Sequence, residues 1–206
     1  SSTSILETRL IRMSDNKITG FITVRTSSIR LPKKCLLSFG ESTLINHIIH
    51  RAISYDIKPI VCTSTSKEDD IIEEIANKEG VRCYRGSLDN KLQRWLDCAN
   101  HFNIDTFHTI DADDPFFDGD EMISSMKMLQ EEGVDMITPT ESSSAGGASV
   151  GYSLTTDIVK RACKDLDKDT DTEMMWYYIE KVPDLKTKIL PETRRKISNM
   201  RLTLDY

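Results

Sequence analysis

Ile18-Thr-Gly-Phe-Ile-Thr-Val24 runs directly into Arg25-Thr-Ser-Ser-Ile-Arg-Leu-Pro-Lys-Lys34. The first part is an apolar run of β type, rich in β-branched residues, and reads as a strand. The second crowds two arginines, two lysines, two serines and a proline into one turn. A strand that empties into such a turn presents backbone N–H groups and fixed cations in one small space, which is what a nucleoside triphosphate tail needs. A solvated loop with inert charges is the plain alternative for any Arg- and Lys-rich turn. The position after the first strand weighs against it.

Outward from this stretch the chain alternates strand-like and helix-like segments. Leu36-Leu37 leads to a helix over 42–55 with its apolar stripe at Leu44, Ile45, Ile48, Ile49 and Ala52, and a buried strand follows over 59–63. Thr65 or Ser66 caps a second helix whose inner stripe is Ile71, Ile72, Ile75 and Ala76 and which closes at Gly80. Then come a strand over 81–84, a helix over 89–102, a strand over 106–110 entering Asp111-Ala-Asp-Asp-Pro115, a helix over 119–131 and a strand over 135–139. This βαβ rhythm predicts an α/β fold with a mostly parallel sheet and helices on both faces, with ligands at the carboxyl ends of the strands. The second half is less regular: a Ser/Gly loop over 141–147, a strand over 148–154, helices over 155–164 and 172–181, and strands over 185–190 and 197–204.

The 206 residues suit one domain over 17–206, with residues 1–16 as a leader or a tail, either ahead of a natural start at Met13 or cut from a longer chain. A net charge of −6 argues against a nucleic-acid surface, so a local basic cluster is the more informative feature. Five cysteines (Cys35, Cys62, Cys83, Cys98, Cys163) in an odd count without CxxC spacing suit reduced thiols in a cytoplasmic protein, several of them in the core. No stretch approaches the roughly 20 apolar residues of a membrane span.

Three separated segments carry the chemistry. In the basic turn, Arg25, Arg30 and Lys34 supply cationic donors, Ser27 and Ser28 hydroxyls, and Pro32 stiffness. In Asp111-Ala-Asp-Asp114, three carboxylates within four residues repel one another, and a hard divalent cation relieves such crowding; an acidic turn whose Asp caps the next helix is the competing reading. The late run Met200-Arg-Leu-Thr-Leu-Asp205 ends in a carboxylate whose value lies in partnership with the other two. Elsewhere structural roles predominate. His47 and His50 lack a third ligand and suit a helix surface; Met122, Met126, Met128 and Leu129 suit a packed face; Trp176-Tyr-Tyr178 suits core or oligomer contacts more than ligand stacking; Gly146-Gly147 is a weak phosphate cradle.

Taken in order, Phe21–Lys34, Thr63-Ser-Thr65 with Asp69-Asp70, Arg85-Gly-Ser87, Asp113-Asp-Pro115, Glu173 ahead of an aromatic helix, and Arg201-Leu-Thr-Leu-Asp205 resemble the cytidylyltransferases that activate 3-deoxy-manno-octulosonate and acylneuraminate sugars. The likeness is greatest to the branch of spore-coat polysaccharide biosynthesis protein F and covers roughly residues 18–206. It implies a three-layer α/β/α, Rossmann-like nucleotidyltransferase fold of glycosyltransferase-A type with a mostly parallel mixed sheet. It further implies Mg²⁺-dependent transfer of CMP from CTP to a small anionic acceptor (a sugar acid, polyol phosphate or phosphonate), with pyrophosphate released. In this family Arg25, Arg30 and Lys34 hold the triphosphate and serve catalysis. Thr26, Ser27, Ser28, Arg85, Ser87 and Asp89 approach the nucleotide, with Arg94 near nucleotide or acceptor. Asp113 and Asp205 are the Mg²⁺ ligands. Cell-surface polysaccharide biosynthesis in the cytoplasm and a homodimer complete the implied picture.

The departures are Lys33 where the family has Gly, Ala112 where it has Gly before the metal-binding Asp, and Ser149-Val-Gly151 where acidic residues follow a Gly-Leu pair. The chain also stops at Tyr206, where relatives continue into a helix that would complete the fold or a dimer contact. Two alternatives stay open at this stage: a sugar-phosphate nucleotidyltransferase using another nucleotide, and a non-catalytic nucleotide-binding domain.

Overall fold

The computed structural model describes residues 17–27, 33–144 and 151–192. β1 (Thr19–Thr23) is buried on both faces and lies near the middle of a seven-stranded sheet. Phe21 points to one core layer and Ile22 to the other, which is the two-sided burial that a continuous apolar strand predicts. The other strands of the sheet are β4 (Lys58–Ser64), β5 (Arg82–Gly86), β6 (Thr106–Asp111), β7 (Met136–Thr138), β8 (Ser153–Thr155) and β9 (Thr187–Ile189), in the order β5-β4-β1-β6-β8-β7-β9. β1 pairs in parallel with β4 and β6, while β8 is antiparallel to both β6 and β7, so the sheet is mixed and mostly parallel as predicted.

The helices are α1 (Leu44–Ser54), α2 (Asp70–Lys78), α3 (Lys91–Phe102), α4 (Gly119–Glu132), α5 (Glu141–Ser144), α6 (Thr156–Cys163) and α7 (Met175–Ile179). One core layer joins Ile22, Val24 and Ile110 to the buried stripes of α1, α2 and α4, including Met122, Met126 and Leu129. The other joins Phe21 and Phe107, stacked with ring centres 4.1 Å apart, to α3, α6 and α7. Each fully buried Ile or Leu of these stripes contributes about 1.5–3 kcal/mol relative to exposure.

Several elements differ from the sequence expectation. A two-residue hairpin, β2 (Ser38–Phe39) with β3 (Ser42–Thr43), precedes α1, whose start is fixed by the Thr43 side chain accepting from the Asn46 N–H. Ahead of α2, Ser66 makes no side-chain cap bond; a 3₁₀ turn (Lys67–Asp69) intervenes, and of the expected stripe Ile71 is exposed while Ile72 and Ala76 are buried. The Ser/Gly loop begins as α5. The helix expected over 172–181 contracts to α7, because Thr172 is strapped to the start of α3 rather than helical. The strand expected over 148–154 is β8, and Gly151 before it has φ +75°, with a Cβ there placed 2.3 Å from the Thr109 carbonyl oxygen. The strand expected over 197–204 lies outside the described residues.

Four cysteines are buried and Cys83 is half-buried, all as free thiols. Trp176 and Tyr177 are exposed, which removes core packing as their role. His47 bonds to the Pro115 carbonyl at 2.9 Å and packs against Phe39, and His50 pairs with Glu79, so both act as structural contacts of α1. No helix among the described residues is long and apolar enough to cross a membrane.

Candidate active site at the rim of β1 and β6

The turn after β1 is tied to β4 by one buried carboxylate. Asp69, fully buried, accepts the Thr26 N–H at 2.7 Å and the Thr26 hydroxyl at 2.8 Å on Oδ1, and the Ser64 hydroxyl on Oδ2. Val24 N–H adds a bond to the Cys62 carbonyl at 3.1 Å, and Lys33 N–H returns to the Thr26 carbonyl at 2.9 Å, so the described ends of the turn meet. Lys33 turns the chain with φ 59° and ψ 23°, the left-handed conformation that suits the glycine found at this position in the resembling family. Lys34, next in the chain, then points its ammonium at the acidic turn.

That acidic turn follows β6 directly. Thr23 and Asp111 are register partners across β1 and β6, Ala112 N–H reaches the Thr23 carbonyl at 3.3 Å, and Asp114 N–H bonds back to the Asp111 carbonyl at 3.1 Å. The fold thereby brings carboxylate oxygens of Asp111, Asp113 and Asp114 within 4.8 Å of one another. At such a separation each like-charged pair repels by about 1 kcal/mol in water and roughly 3 kcal/mol at an effective dielectric near 20. Lys34 Nζ stands 3.4 Å from Asp113 Oδ2 and brings a positive charge to this acidic turn. The donor set, three hard anionic oxygens close enough to share one ion, fits Mg²⁺. The alternative, an Asp of this turn capping the next helix, fails: Asp118 caps α4 by accepting the Glu121 N–H at 3.1 Å.

The remaining predicted residues fall on the opposite flank of the turn. Arg25 donates to the Leu88 carbonyl at 3.0 Å and pairs with Glu173 at 3.5 Å and Asp89 at 3.8 Å. Ser87 receives the Asn90 N–H at 3.0 Å at the entry to α3. Arg85 is turned to the α2 side, where its N–H groups reach the Ser64 and Ser66 carbonyls at 2.8 and 2.7 Å and the carboxylates of Asp70 and Glu73. Thr26 spends its hydroxyl on Asp69, while the Ser27 hydroxyl is buried without a partner among the described residues. Ser28, Arg30 and Asp205 lie outside the described residues.

Sequence reasoning passed over Lys91 and the anchoring role of Asp69. Lys91 opens α3, where the helix dipole disfavours a cation, and that broken local rule was a readable signal. Asp69 carried no signal beyond its place in a motif, because its three donors come from two other segments. Cysteine nucleophiles are excluded at Cys35 and Cys163, whose thiols burial pushes up to about 11, and at Cys83, pushed up to about 12.

A parallel-rich sheet whose cationic turn and acidic turn share one rim has its charged groups at the ligand-binding end of an open α/β sheet. Residues 19–202 match the sequence profile of the cytidylyltransferase family, and the chain belongs to that family of nucleotidyltransferases. It is 30% identical over 195 residues to an uncharacterised protein of Methanocaldococcus jannaschii, covering 92% of this chain and 78% of that one. It is 27% identical to spore coat polysaccharide biosynthesis protein SpsF of Bacillus subtilis, over 58% of this chain and 52% of SpsF. With 3-deoxy-manno-octulosonate cytidylyltransferase of Christiangramia forsetii it shares 24% identity, over 62% of this chain and 51% of that enzyme. The chain thus spans about half the length of the last two relatives. Among solved structures, a cytidylyltransferase from Leptospira borgpetersenii superposes with TM-score 0.79 at 27% identity, covering 92% of this chain and 82% of that one. CMP:2-keto-3-deoxy-manno-octonic acid synthetase complexed with CTP superposes with TM-score 0.65 at 13% identity, covering 86% and 91%, a likeness of fold.

Proposed function

We propose that the chain transfers CMP from CTP to a small anionic acceptor, with release of pyrophosphate. The observation that carries this reading is the Lys34–Asp113 pair, which joins a cationic turn to a three-carboxylate turn at the ends of adjacent parallel strands. In the reaction an acceptor oxygen forms a bond to the α-phosphorus as the bond to the oxygen bridging the α- and β-phosphates breaks. Pyrophosphate takes that electron pair away. Lys34 and Arg25, with Arg30, offset the negative charge of the departing pyrophosphate. Asp69 holds the Thr26 end of the turn in place, which lowers the ordering cost when the phosphates dock. Asp113, flanked by Asp111 and Asp114, would hold Mg²⁺, with Asp205 as a further ligand on the family pattern; the ion supplies charge neutralisation at the phosphoryl oxygens when bound. An acceptor phosphate or phosphonate enters already anionic, whereas a sugar hydroxyl must first lose its proton.

Residues 17–206 act as one catalytic domain on this reading. Free thiols suit the cytoplasm, where the product would feed cell-surface polysaccharide synthesis, and the exposed Trp176 and Tyr177 suit a homodimer contact. Pyrophosphate release from CTP and Mg²⁺ across a panel of sugar acids, polyol phosphates and phosphonates tests the proposal. Turnover with ATP, GTP or UTP and none with CTP rejects it, as does full activity in Asp113→Ala.

A further inference from the structure

Arg94 lies on α3 at 1% exposure, with its stem under β5: a Cβ added to Gly86 would stand 3.1 Å from Arg94 Cγ. A guanidinium carries five N–H donors, and burying it without acceptors is costly. In Arg94 neither Nε nor Nη1 has a hydrogen-bond partner among the described residues. Burial pulls its pKa below the ordinary arginine value and the Arg25 guanidinium pulls the same way, while the Cys62 sulfur and then the Glu173 and Asp69 carboxylates counter them only in part. Among the described residues, two of the three nitrogens of this buried cation are thus left without an acceptor.

Two further cations converge beside it on one carboxylate. Glu173 Oε2 is 3.5 Å from Arg25 Nη2, and Glu173 Oε1 is 3.6 Å from the Lys91 ammonium, which is itself largely buried. Both separations exceed the 2.7–2.9 Å of a tight charge-assisted hydrogen bond. The segment bearing Glu173 is held by Thr172, whose hydroxyl accepts the Leu92 N–H and donates to the Asn90 side chain, each at 3.0 Å. Because Leu92 N–H and Gln93 N–H are taken by Thr172 and Asn90, the demand for an anion comes from the side chains and not from the end of α3.

We propose that Arg94, Arg25 and Lys91 form a subsite for an oxyanion of the ligand, a carboxylate or phosphate group, and that the Glu173 carboxylate is its built-in stand-in. The proposal rests on the transferase reading and adds the charged group by which a ligand is gripped on the β5 side. Two sources fit one chemistry: the acid group of the acceptor, or a phosphate of the nucleotide.

Calorimetric titration of the full chain with inorganic phosphate, alone and with saturating CTP and Mg²⁺, is the test. Phosphate affinity should fall at least tenfold in Arg94→Met, which keeps the buried stem, and rise severalfold in Glu173→Gln, where the competing anion is gone. If CTP displaces the Arg94-dependent phosphate, the oxyanion is a nucleotide phosphate; if phosphate binds beside CTP, it is the acceptor's. Equal phosphate affinity in wild type and Arg94→Met overturns the subsite, and so does unchanged or weakened binding in Glu173→Gln. Wild-type protein that binds phosphate in this pattern but never CTP leaves the subsite standing and sinks the transferase reading.

Discussion

Asp69 and Asp113 are aspartates beyond the carboxyl ends of β4 and β6, the two strands that flank β1, yet their surroundings are opposite. Asp69 is sealed from water and shared among three donors of no formal charge, two from Thr26 and one from Ser64. Asp113 stands half-buried in a crowd of like charge with Asp111 and Asp114, with the Lys34 ammonium 3.4 Å away. A carboxylate satisfied by neutral donors fixes the backbone around it and asks for nothing more. A crowded one stores unfavourable charge that an incoming cation relieves. The comparison separates scaffold from chemistry at one rim of the sheet.

The largest effect should come from Asp113→Asn. On the proposed mechanism it removes cytidylyl transfer by about a hundredfold to a thousandfold, the scale of losing one group that stabilises transition-state charge. Because the substitution also relieves repulsion, thermal stability without Mg²⁺ should hold or rise, and the stabilisation that added Mg²⁺ gives the wild type should vanish. A variant that is both inactive and unfolded would dissolve the distinction.

Asp69→Ala should show the reverse balance. Three donors lose their acceptor inside the protein, so unfolding in urea should come about 2–4 kcal/mol sooner. What activity remains should show a raised KM for CTP, since the loosened end of the turn leaves the phosphate ligands to be ordered on binding. A stability loss below about 0.5 kcal/mol would mean that Asp69 is not the anchor its geometry implies.

Much of this rim was legible in the sequence because the signals are local. The apolar run before Arg25 fixed β1, the four-residue acidic cluster marked the end of β6, and both turns lie at strand ends as the alternating pattern requires. The division of labour among the turn's residues was not legible. Arg25 and Lys34 look alike in the sequence, but β1 sends one side chain to the α3 side, while the left-handed Lys33 sends the other to the acidic turn. Arg85 reads as a ligand by its place in a motif, and its further part as a clamp of the β4–α2 connection was hidden, because its partners there are two carbonyls and two acids distant in sequence. Likewise Thr172 ends a helix pattern early for a bond to α3 that no local periodicity records.

The comparison sharpens at Lys33, the residue between the anchored and the charged ends of the turn. A non-glycine residue at φ 59° carries roughly 1–2 kcal/mol of backbone strain, and glycine recovers it at an entropic cost of about 0.5–1 kcal/mol. Lys33→Gly should therefore stabilise the fold by about 0.5–1 kcal/mol in urea unfolding. Destabilisation would show that the lysine side chain holds the turn by a contact worth more than the strain.

Glu79 supplies the intermediate case, a carboxylate near the surface that is neither sealed nor crowded. Asn46 donates to it at 2.7 Å and His50 pairs with its other oxygen; chiefly the His50 bond, against some opposing burial, lowers its pKa below the ordinary value of 4.5. A carboxyl whose folded pKa is depressed adds stability that is complete above the unfolded pKa and is lost as the pH falls through the folded one. Glu79→Gln should therefore cost about 0.2–1 kcal/mol near pH 6, the range of exposed pairs, and nothing once the pH lies well below 4. Unfolding midpoints measured for both proteins between pH 3 and 7 give the answer. A cost that persists unchanged at low pH would assign the effect to packing by the side chain instead of its charge, and would place Glu79 with Asp69 rather than between the two extremes.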